Sequence, residues 1–191
     1  MNTLGYGTPE GPRSAMGPTM IPTFAKSLVE EVLPIVEKNY RAARTRDQHA
    51  IAGLSMGGAE SLYIGLNHID QFAYVGSFSG AFVMWPRANP QPAQPAAAGA
   101  GGGRGPRTME TADFEKNFPN LTAKAASQLK LLWIACGTDD SLLAVNRQFT
   151  GWLKSKDIAF TNSEIPNYAH VWPLWRQNLA EVAQLVFQTK R

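Results

Sequence analysis

The sequence predicts an α/β domain in which a four-stranded, mostly parallel sheet is flanked by helices. Three observations carry that prediction. Short apolar runs alternate with stretches whose apolar residues recur every three to four positions, the pattern of βαβ units joined by right-handed crossovers. The chain has 191 residues, 44% of them apolar and 17% charged, which suits one domain with a sizeable core. Between a strand-like run and a helical one stands Gly53-Leu-Ser55-Met-Gly57, a G-x-S-x-G pentapeptide. A serine in that setting sits on a tight strand-to-helix turn with its hydroxyl held out at the top of the sheet.

The elements follow in order. Residues 1–20 are rich in Gly and Pro and read as a flexible segment with no charged-then-apolar leader pattern. Phe24, Leu28, Val32, Ile35 and Val36 make one helical stripe, with Thr23 as N-cap and Pro34 predicting a kink or break. His49–Leu54 is a short buried strand, and Ala59, Leu62, Tyr63 and Leu66 place a helix after the pentapeptide. A second strand runs from Phe72 to Ser79. Residues 88–107 are almost entirely Ala, Pro, Gly, Gln and Arg; such a segment cannot bury a core and is expected to be a mobile loop. A helical stretch over 111–127 leads to a third strand, Leu129–Cys136. Leu142, Val145, Phe149, Trp152 and Leu153 form the inner face of a helix over 141–156. Ile158–Ile165 is a fourth strand, and a helix over 173–190 closes the chain with Leu174, Leu179, Val182, Leu185 and Val186 inward.

Composition narrows the function. The net charge is only +3, and Arg41, Arg44 and Arg46 read as a solvated loop, so no nucleic-acid partner is expected. No apolar stretch approaches the roughly 18 residues of a membrane span. Cys136 is the only cysteine, which excludes an intrachain disulfide and a cysteine metal site; in an apolar strand it reads as a buried, inert thiol. Neither a metal nor a cofactor is called for.

In open parallel sheets, function gathers at the carboxyl ends of the strands. Ser55 follows the first strand, Asp139 and Asp140 the third, and His170 the fourth, the chain order of an α/β-hydrolase triad. A serine hydroxyl needs an imidazole to take its proton, and the imidazole needs a carboxylate to fix its tautomer. The N–H of Met56, at the start of the helix, is placed to receive a developing oxyanion. The glycines at 53 and 57 are expected to be required because larger side chains would collide where strand and helix come close. His49 precedes its strand at the opposite end of the sheet, and His68 lies far down the helix, so both read as structural.

Three segments carry a resemblance to a known family: Gly53-Leu-Ser-Met-Gly-Gly58, Trp133-Ile-Ala-Cys-Gly-Thr-Asp-Asp140 and His170-Val-Trp-Pro-Leu-Trp-Arg-Gln-Asn-Leu179. Together they resemble the esterase family of α/β-hydrolases that contains feruloyl and acetylxylan esterases (carbohydrate esterase family 1), S-formylglutathione hydrolases and mycolyltransferases. The likeness runs from residue 21 to the C-terminus apart from the low-complexity insert. It implies an α/β-hydrolase fold and a serine esterase acting on feruloyl or acetyl esters of plant-wall carbohydrate, or on small aryl and alkyl esters. The second acid of the turn is catalytic in that pattern, which carries the role onto Asp140 and leaves Asp139 exposed. Where relatives often have Gly-Gly-His, this chain has Tyr168-Ala-His170. Trp172, Tyr168 and Trp85 are candidates for lining an acyl pocket, and Trp175 reads as core. An acyltransferase with the same acyl-enzyme, or a weak hydrolase serving as a binding module, are the alternatives.

The resemblance also implies an N-terminally truncated version of the fold, because relatives carry several strands before the first helix seen here. A loop among those strands supplies a second oxyanion N–H. The strand before Ser55 would then lie at a sheet edge with unpaired N–H and C=O groups, to be covered by residues 1–20, a second copy of the chain or a preceding segment.

Overall fold

The computed structural model describes residues 20–82, 85–89 and 108–188. The expected flexible segment at the N-terminus, apart from Met20, which opens a helix, and most of the low-complexity loop lie outside the described residues. Helix α1 (Met20–Ser27) passes through a π-helical turn (Leu28–Val32) into α2 (Leu33–Asn39). Then come β1 (Ala50–Leu54), α3 (Met56–Asn67), β2 (Tyr74–Phe78), α4 (Thr111–Asn117), α5 (Ala123–Ala126) and β3 (Leu131–Gly137). The chain continues through α6 (Leu143–Ser155), β4 (Thr161–Ile165) and α7 (Trp172–Leu185).

The four strands are parallel and ordered β1-β2-β3-β4, so each neighbours its successor. One face of the sheet is covered by α3, α4 and α6, whose Leu62, Phe114 and Phe149 pack with Val75, Leu132 and Ile134. The other face carries α7, where Leu174, Trp175 and Val182 meet Phe78, Trp133 and Ala135. Keeping the crossovers on one face gives every βαβ unit the same hand. The register pairs Leu54 with Phe78 and Phe78 with Ala135, which brings the carboxyl ends of β1, β2 and β3 level. Among the described residues β1 is an outer strand, as the resemblance implied. It is not the buried strand its apolar run suggested: none of its residues is buried, and Ala50 and Ala52 are exposed, because no described strand pairs with its outer edge.

Several expectations need correction. The break at Pro34 takes the form of the π-helical turn just before it, where the Leu33 N–H reaches back five residues to the Leu28 carbonyl. A π turn advances the helix by an extra residue and rotates the next turn off the stripe. Val32, Ile35 and Val36 are therefore exposed, while Ile21 and Ala25 are buried. The stretch over 111–127 is split into α4 and α5 around Phe118 and Pro119, because a residue before proline is driven out of helical geometry. Strand β4 starts only at Thr161; Ile158 is drawn into the core, its N–H donating to Leu153 at the end of α6. On α7 the inward row is Leu174, Trp175, Asn178 and Val182, which turns Leu179 and Leu185 to solvent.

Arg46 is not a solvated side chain. Its guanidinium donates to the backbone carbonyls of Ile69 and Gln128, tying the lower ends of the strands together. Where the low-complexity loop begins, Arg87 and the Ala88 N–H both bond the Asp113 carboxylate, which also accepts from the Glu110 N–H. No helix among the described residues is long and apolar enough to cross a membrane.

Candidate active site

Ser55 occupies the residue between β1 and α3, with φ 54° and ψ −117°. That is a costly conformation for a residue with a Cβ, on the order of 1–3 kcal/mol. Neighbouring backbone holds it there. The Ser55 N–H donates to the Phe78 carbonyl at 2.8 Å, and its own carbonyl accepts from the Ala81 N–H at 2.8 Å and the Ala59 N–H at 3.2 Å.

The glycine requirement is met differently from expectation. A Cβ on Gly53 would run into the backbone carbonyl of Gly57, so strand and helix can approach only if residue 53 has none. A Cβ on Gly57 itself would meet nothing within 4 Å. The second crowded position is Gly58, where a Cβ would lie 2.8 Å from Ser77 Oγ and 3.1 Å from two backbone oxygens.

His170 and Asp140 come to Ser55 from the ends of β4 and β3. The β3 turn and the loop before α7 are knitted together: the Thr138 N–H donates to Ile165, the Asp139 N–H to the Tyr168 carbonyl, and the Asn167 N–H to Thr138 Oγ1. A Cβ on Gly137 would strike the Tyr168 carbonyl, so this loop can lie down only on a glycine. His170 Nδ1 then stands 2.8 Å from Asp140 Oδ2, and Nε2 2.9 Å from Ser55 Oγ. A carboxylate only accepts, so Nδ1 carries the proton; in the neutral ring Nε2 is then the lone pair facing the serine hydroxyl. The Asp140 side chain is fully buried, and its other oxygen accepts the Leu142 N–H at 2.9 Å. Asp139 is exposed, its carboxylate accepting from the Thr138 hydroxyl at 3.2 Å. Ser55, His170 and, of the two acids that strand order offered, the one the resemblance pointed to are thus hydrogen-bonded in series, with about a third of the His170 side chain open to solvent (34%).

A model of the family described as "Putative esterase" matches residues 14–185. The chain belongs to that esterase family. It is 24% identical over 165 residues to an endo-1,4-beta-xylanase/feruloyl esterase from Xylanibacter ruminicola, covering 86% of this chain and 18% of that protein. Among solved structures it is similar to a CE1 ferulic acid esterase from Anaeromyces mucronatus in complex with ferulic acid. The TM-score is 0.65 at 22% identity, covering 96% of this chain and 62% of the other. It is also similar to an S-formylglutathione hydrolase from Staphylococcus aureus, with a TM-score of 0.56 at 20% identity, over 81% of this chain and 60% of the other. These likenesses show the α/β-hydrolase fold, and this chain spans about three fifths of the length of each of those two solved chains.

Against that fold the remaining candidates sort by burial. Met56 opens α3, so its N–H has no partner within the helix and is available beside Ser55. Trp172 is 65% exposed and stands edge-on to Trp175 at 5.6 Å. Tyr168 is half-buried against the α7 side of the core. Trp85 cannot line a pocket: it is 2% exposed, packed among Phe82, Phe114, Phe118 and Phe149, and its indole N–H donates to the Ala59 carbonyl. Its position after the second strand put it near the site in sequence, but its ring belongs to the core and bonds the α3 backbone. Trp175 is buried as expected, yet its ring meets His170 edge-to-face at 4.7 Å.

Burial, reinforced by the nearby Asp140 carboxylate, pushes the Cys136 thiol up to about 12, consistent with an inert side chain. Ser79, which sequence reasoning passed over, is fully buried at the end of β2 with φ 51°. The available signal was a serine and a glycine closing an apolar strand at the functional end of the sheet. Among the described residues no group of three or more His, Cys, Asp or Glu side chains could hold a metal.

Proposed function

We propose that this chain carries the active site of a serine carboxylic-ester hydrolase. The single observation that supports it most is the series Asp140–His170–Ser55, with both hydrogen bonds under 3 Å. In this reading His170 Nε2 takes the hydroxyl proton as Ser55 Oγ attacks the ester carbonyl. The Met56 N–H, at the positive end of α3, receives the tetrahedral oxyanion. Asp140 stabilises the imidazolium, which then gives its proton to the leaving alcohol. A water deprotonated by the same nitrogen attacks the acyl-serine and releases the acid.

The substrates we propose are feruloyl or acetyl esters on plant-wall carbohydrate and small aryl or alkyl esters. Support comes from the feruloyl esterase and ferulic acid esterase among the similar proteins. Trp172, exposed two residues beyond the base, and Tyr168 are the proposed contacts for an aromatic acyl group. The test is labelling with a fluorophosphonate together with p-nitrophenyl acetate turnover. Wild-type protein should be labelled at Ser55 and hydrolyse the ester, and Ser55→Ala should do neither. Undiminished turnover by Ser55→Ala would overturn the assignment.

A further inference from the structure

One turn, residues 78–81 at the end of β2, reaches both the nucleophile and its base. On the nucleophile side it receives the Ser55 N–H at the Phe78 carbonyl and returns the Ala81 N–H to the Ser55 carbonyl, both at 2.8 Å. On the base side, Ser79 Oγ accepts the Trp175 indole N–H at 3.2 Å, and the Trp175 ring stands against the His170 imidazole at 4.7 Å and 82°. The turn is anchored from below. The Ser79 N–H donates to Ala135 on β3 at 2.7 Å, and the Asn146 amide of α6 donates to the Gly80 carbonyl at 3.0 Å.

Ser79 holds a left-handed φ of 51° in complete burial. Glycine would adopt that conformation without strain but would offer no side-chain oxygen. A buried indole N–H needs an acceptor, and Ser79 Oγ is the one it has. The imidazole needs support from this direction because its own loop is open to solvent: Pro166, Asn167, Ala169 and Val171 are all exposed.

We propose that Ser79 is a positioning residue of the active site. Its bond to Trp175 fixes the indole that buttresses His170, so the turn that seats Ser55 also sets the imidazole between Ser55 and Asp140. The inference rests on the hydrolase reading, and its test includes a readout that needs no turnover.

Ser79→Ala, Ser79→Gly, Trp175→Phe and the double variant Ser79→Ala/Trp175→Phe are compared with wild type. Active sites are counted by fluorophosphonate titration, and kcat and KM are measured on p-nitrophenyl acetate. The Nδ1-proton resonance of His170 is followed by NMR. Small misplacements of a reacting group cost up to about a hundredfold, so Ser79→Ala should lower kcat per titrated site by about tenfold or more with KM little changed. The His170 resonance should shift or broaden. Ser79→Gly should lose as much, since relieving the backbone does not restore the acceptor, and the double variant should be no worse than Trp175→Phe. A wild-type kcat per site in Ser79→Ala, an unmoved His170 resonance, or losses that multiply in the double variant would each overturn the proposal. If wild type itself fails to turn over ester, the hydrolase reading falls, and the resonance still decides the role of Ser79.

Discussion

Replacing each acid of the β3 turn by its amide separates the two carboxylates that are adjacent in sequence. In Asp140→Asn the side chain keeps its shape, and its oxygen can still accept the Leu142 N–H that Asp140 Oδ1 accepts at 2.9 Å. The NH₂ group then occupies the place of Oδ2, 2.8 Å from His170 Nδ1. Two N–H donors cannot face one another, so Nδ1 must give up its proton and Nε2 must carry one. That hydrogen points at Ser55 Oγ, 2.9 Å away, and no lone pair remains to take the serine proton. The same amide exchange costs about 10⁴ in kcat in the serine proteases. We expect a loss of that order here, with a melting temperature near wild type because the bond to Leu142 survives. Asp139→Asn should stay within about twofold, since that side chain is exposed and bonds only the neighbouring Thr138 hydroxyl. Initial rates on p-nitrophenyl acetate, with thermal melting as the folding control, provide the comparison. An inactive Asp139→Asn beside an active Asp140→Asn would refute the reasoning, as would two variants impaired alike.

Three further outcomes are expected. Gly53→Ala should destabilise by about 1–3 kcal/mol or more and suppress activity, whereas Gly57→Ala should be neutral or raise the melting temperature by a degree or two; calorimetry of the pair decides, and equal damage from both would contradict the packing at the elbow. Burial opposes ionisation of Asp113, but the Glu110 and Ala88 N–H groups and the Arg87 guanidinium outweigh it and hold its carboxyl below the usual range. A carboxyl depressed on folding stabilises above its unfolded value, and that contribution is lost as pH falls from about 4 through the lowered folded value. Urea titrations from pH 6 down to pH 3 should therefore show a steeper acid loss in wild type than in Asp113→Asn, and parallel profiles would count against the clamp. Finally, the exposed outer edge of β1 should pair with a second copy of the chain: light scattering should report a dimer, and Ala52→Lys should shift it to monomer, while a wild-type monomer at all concentrations would exclude pairing through that edge.

Much of this molecule is written locally. The alternation of apolar runs and helical stripes determines four strands and their crossovers, because period 2 and period 3.6 are properties of neighbouring residues. The order Ser55, then Asp139 or Asp140, then His170 is legible because parallel strands deliver their carboxyl ends to one side of the sheet, wherever the intervening helices lie; the choice of Asp140 came from the family resemblance. The buried face of α6 could be read from spacing alone, and all five of its expected inward residues are buried.

Spacing cannot report which group stands across from a side chain. Trp85 and Trp172 look alike in sequence, yet one fills the core under α3 and the other stands in solvent beside the base. Gly57 belongs to the pentapeptide, but the crowded position is Gly58, because Ser77 of β2 lies opposite it and nothing lies opposite Gly57. The stripe through Val32, Ile35 and Val36 is turned outward by a π turn whose phase shift is invisible to an ideal helical period. Ser79 and Trp175 are 96 residues apart and meet only because β2 and α7 pack together. The chain by itself determined which groups reach the top of the sheet. Tertiary packing decided how they touch, since contacts between distant segments depend on distances that no local pattern encodes.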